Sequence, residues 1–346
     1  MTAMTTRAGA EGGSPGGARW VPVYGDLGSA FAPGLRRQVP VLTYLLRERR
    51  ASLWHFFFAP NPRASLTARY CARWRGRPTV QTVCSAPASG VDLQRVLFGD
   101  RVVVLSEHTR MRFENAGISP QRLVHIPPAV PLLEAPSADE SAALRRTYGL
   151  PIGAPLIMYP GDLEFSQGAA RSLWLLQDLP VALGAHLLFC CREKTPAAQE
   201  ARAHLQTVAE RAGVASRVHF VGETPDIHGL LAAADLVVLP AETLYAKMDL
   251  PLVLLEAMGL GRPVMVLEQT PAAELALQGG AEALSTDRGQ WAARASHWLE
   301  QGDDRAALGA RARRVVAERY DPEVMAAAYG QVYEAVLGES PRGFRW

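Results

Sequence analysis

Past residue 50, short strand-like runs alternate with amphipathic stretches along most of the chain. In the first half they are the apolar Leu53–Phe58, then Thr79–Val83 and Arg101–Leu105. In the second half they are Pro155–Tyr159, His186–Cys190, Val218–Val221, Leu236–Leu239, Pro263–Leu267 and Ala283–Ser285. The second-half runs are largely apolar without polar alternation, which predicts strands buried on both faces, the pattern of a parallel sheet. Helical stretches fall between them, at Gly34–Arg50, Ala64–Arg75 and Glu107–Ala116 and through the gaps of the second half. The alternation means βα units with right-handed crossovers, doubly wound in the second half. Ser137 and Glu140 form a capping box. The proline-rich stretch before it, from Ile126 to Pro131, therefore reads as a linker between two units, the second beginning near residue 150. Asp321 and Pro322 open a last helix that runs to about Leu337.

The 346 residues suffice for two cored domains. With 48% apolar and 20% charged residues the composition is globular, and no apolar run is long enough for a transmembrane helix. Residues 1–18, rich in Gly, Ala, Ser and Thr, bury too little apolar surface to offset their ordering entropy and are expected to be a disordered tail. Arg7 has no apolar segment behind it, which argues against a secretory signal. Cys71, Cys84, Cys190 and Cys191 lack metal-ligand spacing, so reduced thiols in a cytosol are the economical reading. The charge is divided unevenly. Residues 1–130 carry 17 arginines against 7 carboxylates, while the remainder is net acidic. A basic half suits an anionic partner, either lipid headgroups, an acidic acceptor or nucleic acid, or is simply an arginine-coated surface. Lysine occurs only at Lys194 and Lys247.

In a doubly wound sheet ligands bind beyond the carboxyl ends of the strands, so four segments are candidates. The loop Gly161–Gly168 (GDLEFSQG) leads to a helix start that suits a phosphate or a sugar, and also reads as an ordinary connection. Cys190 to Lys194 bring Arg192 and Lys194 to the same rim, which suits a diphosphate. In Glu242–Gly261, Pro251 opens a helix that places Glu256 among Leu252, Val253 and Leu255. A carboxylate among apolar neighbours needs an answering group, either a neighbouring arginine or a ligand such as a ribose diol. Glu268–Glu274 (EQTPAAE) offers two carboxylates for sugar hydroxyls. A P-loop, a GxGxxG turn, an HExxH helix and a GxSxG elbow are all missing, which disfavours phosphotransfer, hydride transfer and serine hydrolysis.

The stretch VHFVGETPDIHGLLAAADLVVLPA (218–241), with DLPLVLLEAMGLGRPVMV (249–266), resembles the donor domain of glycosyltransferase family 4, the glycosyl transferases group 1. DRVVVLSEHTRMRFENAGISPQRLVHIPPAV (100–130) is similar to that family's approach to the interdomain linker, and RYDPEVMAAAYGQVYEAVL (319–337) to its returning helix. The resemblance implies an α/β protein of GT-B fold, with two facing Rossmann-like doubly wound domains, the first abbreviated. Its expected parts are a tail (1–18), an acceptor-side domain (19–131), a nucleotide-sugar domain (132–320) and a helix crossing back (321–338). Family members commonly carry about one more βα unit ahead of Leu53, so either the chain begins upstream or the first domain is a trimmed variant.

The resemblance further implies a metal-independent, retaining transferase that needs no cofactor and takes a nucleotide diphosphate sugar. Its acceptor would be lipid-linked or a polysaccharide. It would be cytoplasmic, with peripheral contact at the inner membrane face as one option and nucleic acid not a partner. Glu256 becomes the second glutamate of the family's acidic pair, the one that binds the ribose, and Met248 stands eight positions earlier, where the first is expected. The expected donor set is Glu256, Lys247, Asp249, Arg192, Lys194, Gly161, Asp162, Glu164 and Ser166, with Lys247, Arg192 and Lys194 supplying positive charge. Cys84, which replaces an expected histidine, joins Ser85 and His55 on the acceptor side of the cleft. The alternatives are a catalytically silent GT-B binding module and an epimerase on the same fold.

Overall fold

The computed structural model describes residues 1–5, 19–23, 35–87, 90–193, 195–244 and 247–339. Strand β1 (Thr2–Thr5) pairs in parallel with β2 (Arg19–Pro22). The first residues of the expected tail are therefore ordered, because Arg19–Pro22 offers them a backbone ladder; residues 6–18 lie outside the described residues. The first lobe then runs α1 (Leu35–Arg47), β3 (Trp54–Phe58), α2 (Pro62–Arg75), β4 (Thr79–Val83), α3 (Leu93–Val96), β5 (Arg101–Val104), α4 (Glu107–Asn115) and β6 (Leu123–His125). The second runs α5 (Ala138–Thr147), β7 (Leu156–Tyr159), α6 (Gly168–Asp178), β8 (His186–Cys190), α7 (Pro196–Arg211), β9 (Val218–Val221), α8 (Ile227–Ala233) and β10 (Leu236–Leu239). It continues through α9 (Leu252–Gly259), β11 (Val264–Leu267), α10 (Glu274–Leu277), β12 (Glu282–Leu284), α11 (Arg288–Glu300) and α12 (Gly302–Arg319). A final helix, α13 (Pro322–Glu339), follows.

Local chemistry sets these boundaries. Asn61 caps α2 by accepting from the Ala64 N–H, and Gly76 ends that helix at φ 56°, a left-handed conformation that favours glycine. Ser137 and Glu140 make the reciprocal capping box at α5. Short β6 and α3 carry too few periodic residues to be legible in the chain.

Both sheets are parallel. The first has the order β3-β4-β5-β6 and the second β12-β11-β10-β7-β8-β9. In the second, the chain winds outward from β7 to β9, then returns beside β7 and winds the other way, so strand order reverses between β7 and β10 and leaves a crevice there. In the first, strands in simple sequence order put every right-handed crossover on one face. That face is packed by Val83, Val102, Val104, Leu93 and Phe113. The opposite face, Val80, Val103 and Ile126, is covered by Tyr329, Val332 and Val336 of α13.

The carboxyl edges of the two sheets face each other. Ser106, following β5, donates its hydroxyl to Asp249 Oδ2 at 2.8 Å, and the connections between the lobes lie side by side, with Val130 N–H bonded to Tyr320 O at 3.0 Å. Among the described residues no helix is long and apolar enough to cross a membrane.

His55, expected in the cleft, is placed elsewhere. It is the second residue of β3, near the amino end of the strand, and strand alternation turns it toward α13. Its Nδ1 shares a 2.7 Å hydrogen bond with the Tyr333 hydroxyl and its Nε2 another of 2.7 Å with Thr82 Oγ1. Burial pushes this imidazole down to about 4. The unfolded ring takes its proton near pH ~6.5, so between that value and about 4 the unfolded state binds more protons and stability rises with pH. The contribution, up to about 3 kcal/mol, is fully present above pH ~6.5 and is lost as the pH falls toward 4. Denaturant unfolding across this window is expected to show a shallower loss of stability in His55→Gln than in the parent; parallel curves would contradict the assignment.

Candidate functional site

At the switch point of the six-stranded sheet a cavity of about 550 Å³ opens. The loops after β7, β8 and β9 form three of its walls and the start of α9 the fourth. Five of the expected donor-site residues line it besides Glu256, namely Gly161, Asp162, Glu164, Arg192 and Lys247.

Glu256 lies in the second turn of α9, whose first residues follow Pro251. Its side chain keeps 21% exposure beside Leu252, Val253 and Ile227 of the same cavity. Among the described residues no guanidinium answers it; the partner is His228, whose Nε2 stands 3.5 Å from Oε1. Helix α9 buries Leu254, Leu255, Ala257 and Met258 in the core, so the turn that carries Glu256 cannot rotate without exposing them.

The loop after β7 is shaped from beneath by Tyr159. This ring is fully buried, and its hydroxyl donates to Asp162 O at 2.8 Å. Gly161 lies so close over it that a Cβ there would meet Tyr159 Cζ at 2.1 Å. Asp162 then folds the turn, Oδ1 accepting the N–H groups of Glu164 (3.2 Å) and Phe165 (2.6 Å). Its Oδ2 is ion-paired with Lys247 Nζ at 2.5 Å, so the ammonium expected to serve a diphosphate is neutralised within the protein. Glu164 accepts the Thr195 hydroxyl at 2.5 Å. Among the described residues Arg192 makes one pair, exposed, with Glu223 at 3.3 Å, and Lys194 lies outside the described residues.

Several expectations are corrected. Ser166 is absent from the cavity lining; its Oγ accepts the Gly168 N–H at 3.2 Å. The entry to α6, expected to take a phosphate or a sugar, already holds a carboxylate of the protein, since Glu242 accepts the Gln167 N–H at 3.0 Å and pairs with Arg171 at 2.8 Å. Asp249 is 2% exposed and bound by Ser106 of the other lobe, away from the cavity, because the turn into α9 points it across the cleft. Glu274, expected to touch sugar hydroxyls, is half-buried and already engaged by the protein. Its carboxylate accepts the backbone N–H groups of Glu107 (3.1 Å) and His108, at the amino end of α4 in the other lobe. Burial holds its carboxyl above the usual range in spite of those amides.

Cys84 and Ser85 follow the carboxyl end of β4, half-buried and buried, outside the cavity. Burial raises the Cys84 thiol, and also that of Cys190, to about 11 in the latter, so neither is poised as a thiolate. His228, beside Glu256, and Ser106, bound to Asp249, are not singled out by the sequence. Ser106 carries a legible signal, an N-cap serine that accepts the Thr109 N–H at 3.0 Å, but its partner 143 residues away does not.

Residues 154–301 match the family model for glycosyl transferases group 1. Over 122 residues the chain is 35% identical to the lipopolysaccharide glucosyltransferase WaaG of Escherichia coli (strain K12), a stretch covering 35% of this chain and 30% of that protein. Among solved structures, HepE of Anabaena in complex with UDP-glucose superposes with a TM-score of 0.75 at 18% identity, covering 92% of this chain and 86% of that one. The sucrose-phosphate synthase of Thermosynechococcus elongatus gives 0.73 at 17% identity, covering 97% and 89%. The WaaG crystal structure gives 0.60 at 18%, covering 96% and 89%. These likenesses show the fold, GT-B.

Overpacking against Tyr159 gives a direct check of the loop. Gly161→Ala is expected to cost ~1–3 kcal/mol in denaturant unfolding. Tyr159→Phe, which orphans the Asp162 carbonyl, is expected to cost ~1 kcal/mol or somewhat more. A Gly161→Ala protein of parental stability would contradict the close approach.

Proposed function

We propose that this chain is a glycosyltransferase that moves a sugar from a nucleotide diphosphate sugar to an acceptor hydroxyl, with retention and without a metal ion. The observation that carries the reading is Glu256, a carboxylate in an open cavity at the switch point with no arginine among the described residues to answer it. A ribose diol would donate both its hydroxyls to such a group. The family match over residues 154–301 supports the class of reaction, and the UDP-glucose complex of the similarly folded HepE supports the class of donor.

Within this reading the diphosphate sits toward Lys247 and Arg192. Its arrival competes with Asp162 for the Lys247 ammonium, and the charge developing on the leaving phosphate draws that ammonium away from its internal partner. Retention proceeds by front-face attack, in which the departing phosphate takes the proton of the acceptor hydroxyl and no protein nucleophile is required. This differs from the two-carboxylate scheme of retaining glycosidases. The acceptor, lipid-linked or a polysaccharide, is held by the arginine-rich first lobe on the cytoplasmic side, with peripheral contact at the membrane face.

A second reading, a GT-B module that binds without catalysis, is favoured by the neutralised Lys247, by the burial of Asp249 and by Met248 in place of a glutamate. One pair of experiments separates the two. UDP-glucose and GDP-sugars are expected to raise the melting temperature of the parent, and Glu256→Gln to weaken the preferred donor by roughly tenfold. Release of free nucleotide from the bound donor then marks the transferase. Donor binding with no release, with or without acceptor, selects the silent module, and no thermal shift from any donor defeats both.

A further inference from the structure

A second cavity, of about 480 Å³, lies in the first lobe at the other end of its sheet. It is bounded by residues that precede β4, β5 and β6, the amino ends of those strands, whereas the candidate donor site stands at the carboxyl ends of the other sheet. Four arginines line it, Arg69 and Arg73 from α2, Arg77 just past its Gly76 cap, and Arg122 before β6. Asp100 is the single carboxylate of the lining, and it is already engaged, accepting the Thr79 N–H at 2.7 Å and hydroxyl at 3.0 Å. Positive charge therefore exceeds negative by three within one concave surface.

Part of this charge has structural work. Arg69 Nη2 donates to the carbonyls of Gln94 (2.8 Å) and Arg95 (3.3 Å), Arg122 Nη2 to those of Leu97 (3.2 Å) and Gly99 (3.0 Å), and Arg77 Nη2 to Arg49 O (2.7 Å). Each of these guanidinium groups engages one nitrogen and keeps further N–H donors in hand. Arg77 Nε is buried with no partner, and the Arg73 side chain makes no ion pair or hydrogen bond among the described residues. Burial and the neighbouring Arg69 both press against the charge of Arg122. Like charges held this close, with unspent donors and a single occupied carboxylate, are a frustrated arrangement that a multivalent anion relieves.

We propose that this cavity is an anion site for a phosphorylated group, separate from the donor site, in which Arg73 and Arg77 grip the ligand and Arg69 and Arg122 supply the field. A phosphate is the chemistry that matches several forked donors at once. It can arrive free, as a di- or polyphosphate, or as a lipid headgroup. The second source has a structural invitation, since Leu66, Tyr70 and Trp74 stand exposed at four-residue intervals along the same helix.

Isothermal titration of the full chain with inorganic pyrophosphate at low salt tests the site. Arg73→Gln, at an exposed and unpartnered position, leaves the fold intact and is expected to weaken pyrophosphate by roughly tenfold, while UDP-glucose affinity stays at the parental value. Lys247→Ala, in the other cavity, is expected to leave this pyrophosphate binding unchanged. Co-sedimentation with phosphatidylcholine vesicles, with and without phosphatidic acid, distinguishes the sources. Binding that needs phosphatidic acid and fails in Arg73→Gln identifies a headgroup, and pyrophosphate binding without vesicle binding identifies a free phosphate. No binding of either probe, or binding that only Lys247→Ala weakens, overturns the proposal.

Discussion

A parallel sheet built in simple sequence order has one face without cover, and the first lobe depends on how that face is closed. Its crossover helices all lie on one side, and the apolar residues Val80, Val103 and Ile126 on the other would meet water. Helix α13, from the far end of the chain, lies across them. Tyr329 brings a hydroxyl to Thr82 at 3.0 Å and Tyr333 one to His55 at 2.7 Å, so the polar groups under the helix are paired as well as the apolar ones. The first sheet thus cannot complete its core until the second lobe has been traversed, and the two lobes are held together by the need to bury that face.

The cleft between the lobes follows from this arrangement. The carboxyl edges of both sheets are brought opposite each other, and a small set of polar contacts spans the space. Ser106 meets Asp249, and Glu274 caps the amino end of α4, where free amides and the helix dipole favour a carboxylate. Groups that in isolation suit a bound sugar are spent here on holding lobe to lobe. The cavity proper lies on the other side of α9, where Glu256 has open volume instead of a protein partner of opposite fixed charge.

The same economy of charge marks the two ends of the molecule. In the acidic lobe the two cations described in the cavity lining each have a carboxylate beside them, Lys247 with Asp162 and Arg192 with Glu223. In the first lobe the arginines outnumber the carboxylates and four of them gather around a single aspartate. An anion entering the first cavity must compete with internal partners, whereas one entering the second meets charge that is uncompensated.

The chain by itself determined the βα alternation, the parallel character of both sheets, most strand limits and the position of Glu256 on its helix. Those follow from local periodicity, caps and proline placement, which act over a few residues. Residues 218–266 also carry a pattern that resembles a donor domain, and the expectation of a doubly wound sheet put candidate ligand groups beyond the carboxyl ends of its strands; where the strand order reverses was settled by the pairing of β7 with β10. Only the tertiary structure decided which polar side chains remain available to a ligand. Asp249, Ser166, Glu274 and His55 look like candidates in a linear reading, and each is consumed by a partner that periodicity cannot reveal, for Asp249, Glu274 and His55 one that is distant along the chain. The gathering of Arg69, Arg73, Arg77 and Arg122 around one cavity is of the same kind, since three separate segments meet there through strand register and helix packing. Hydrogen-bond partnership and burial are properties of proximity in space, and proximity is settled when the sheets close and the last helix docks.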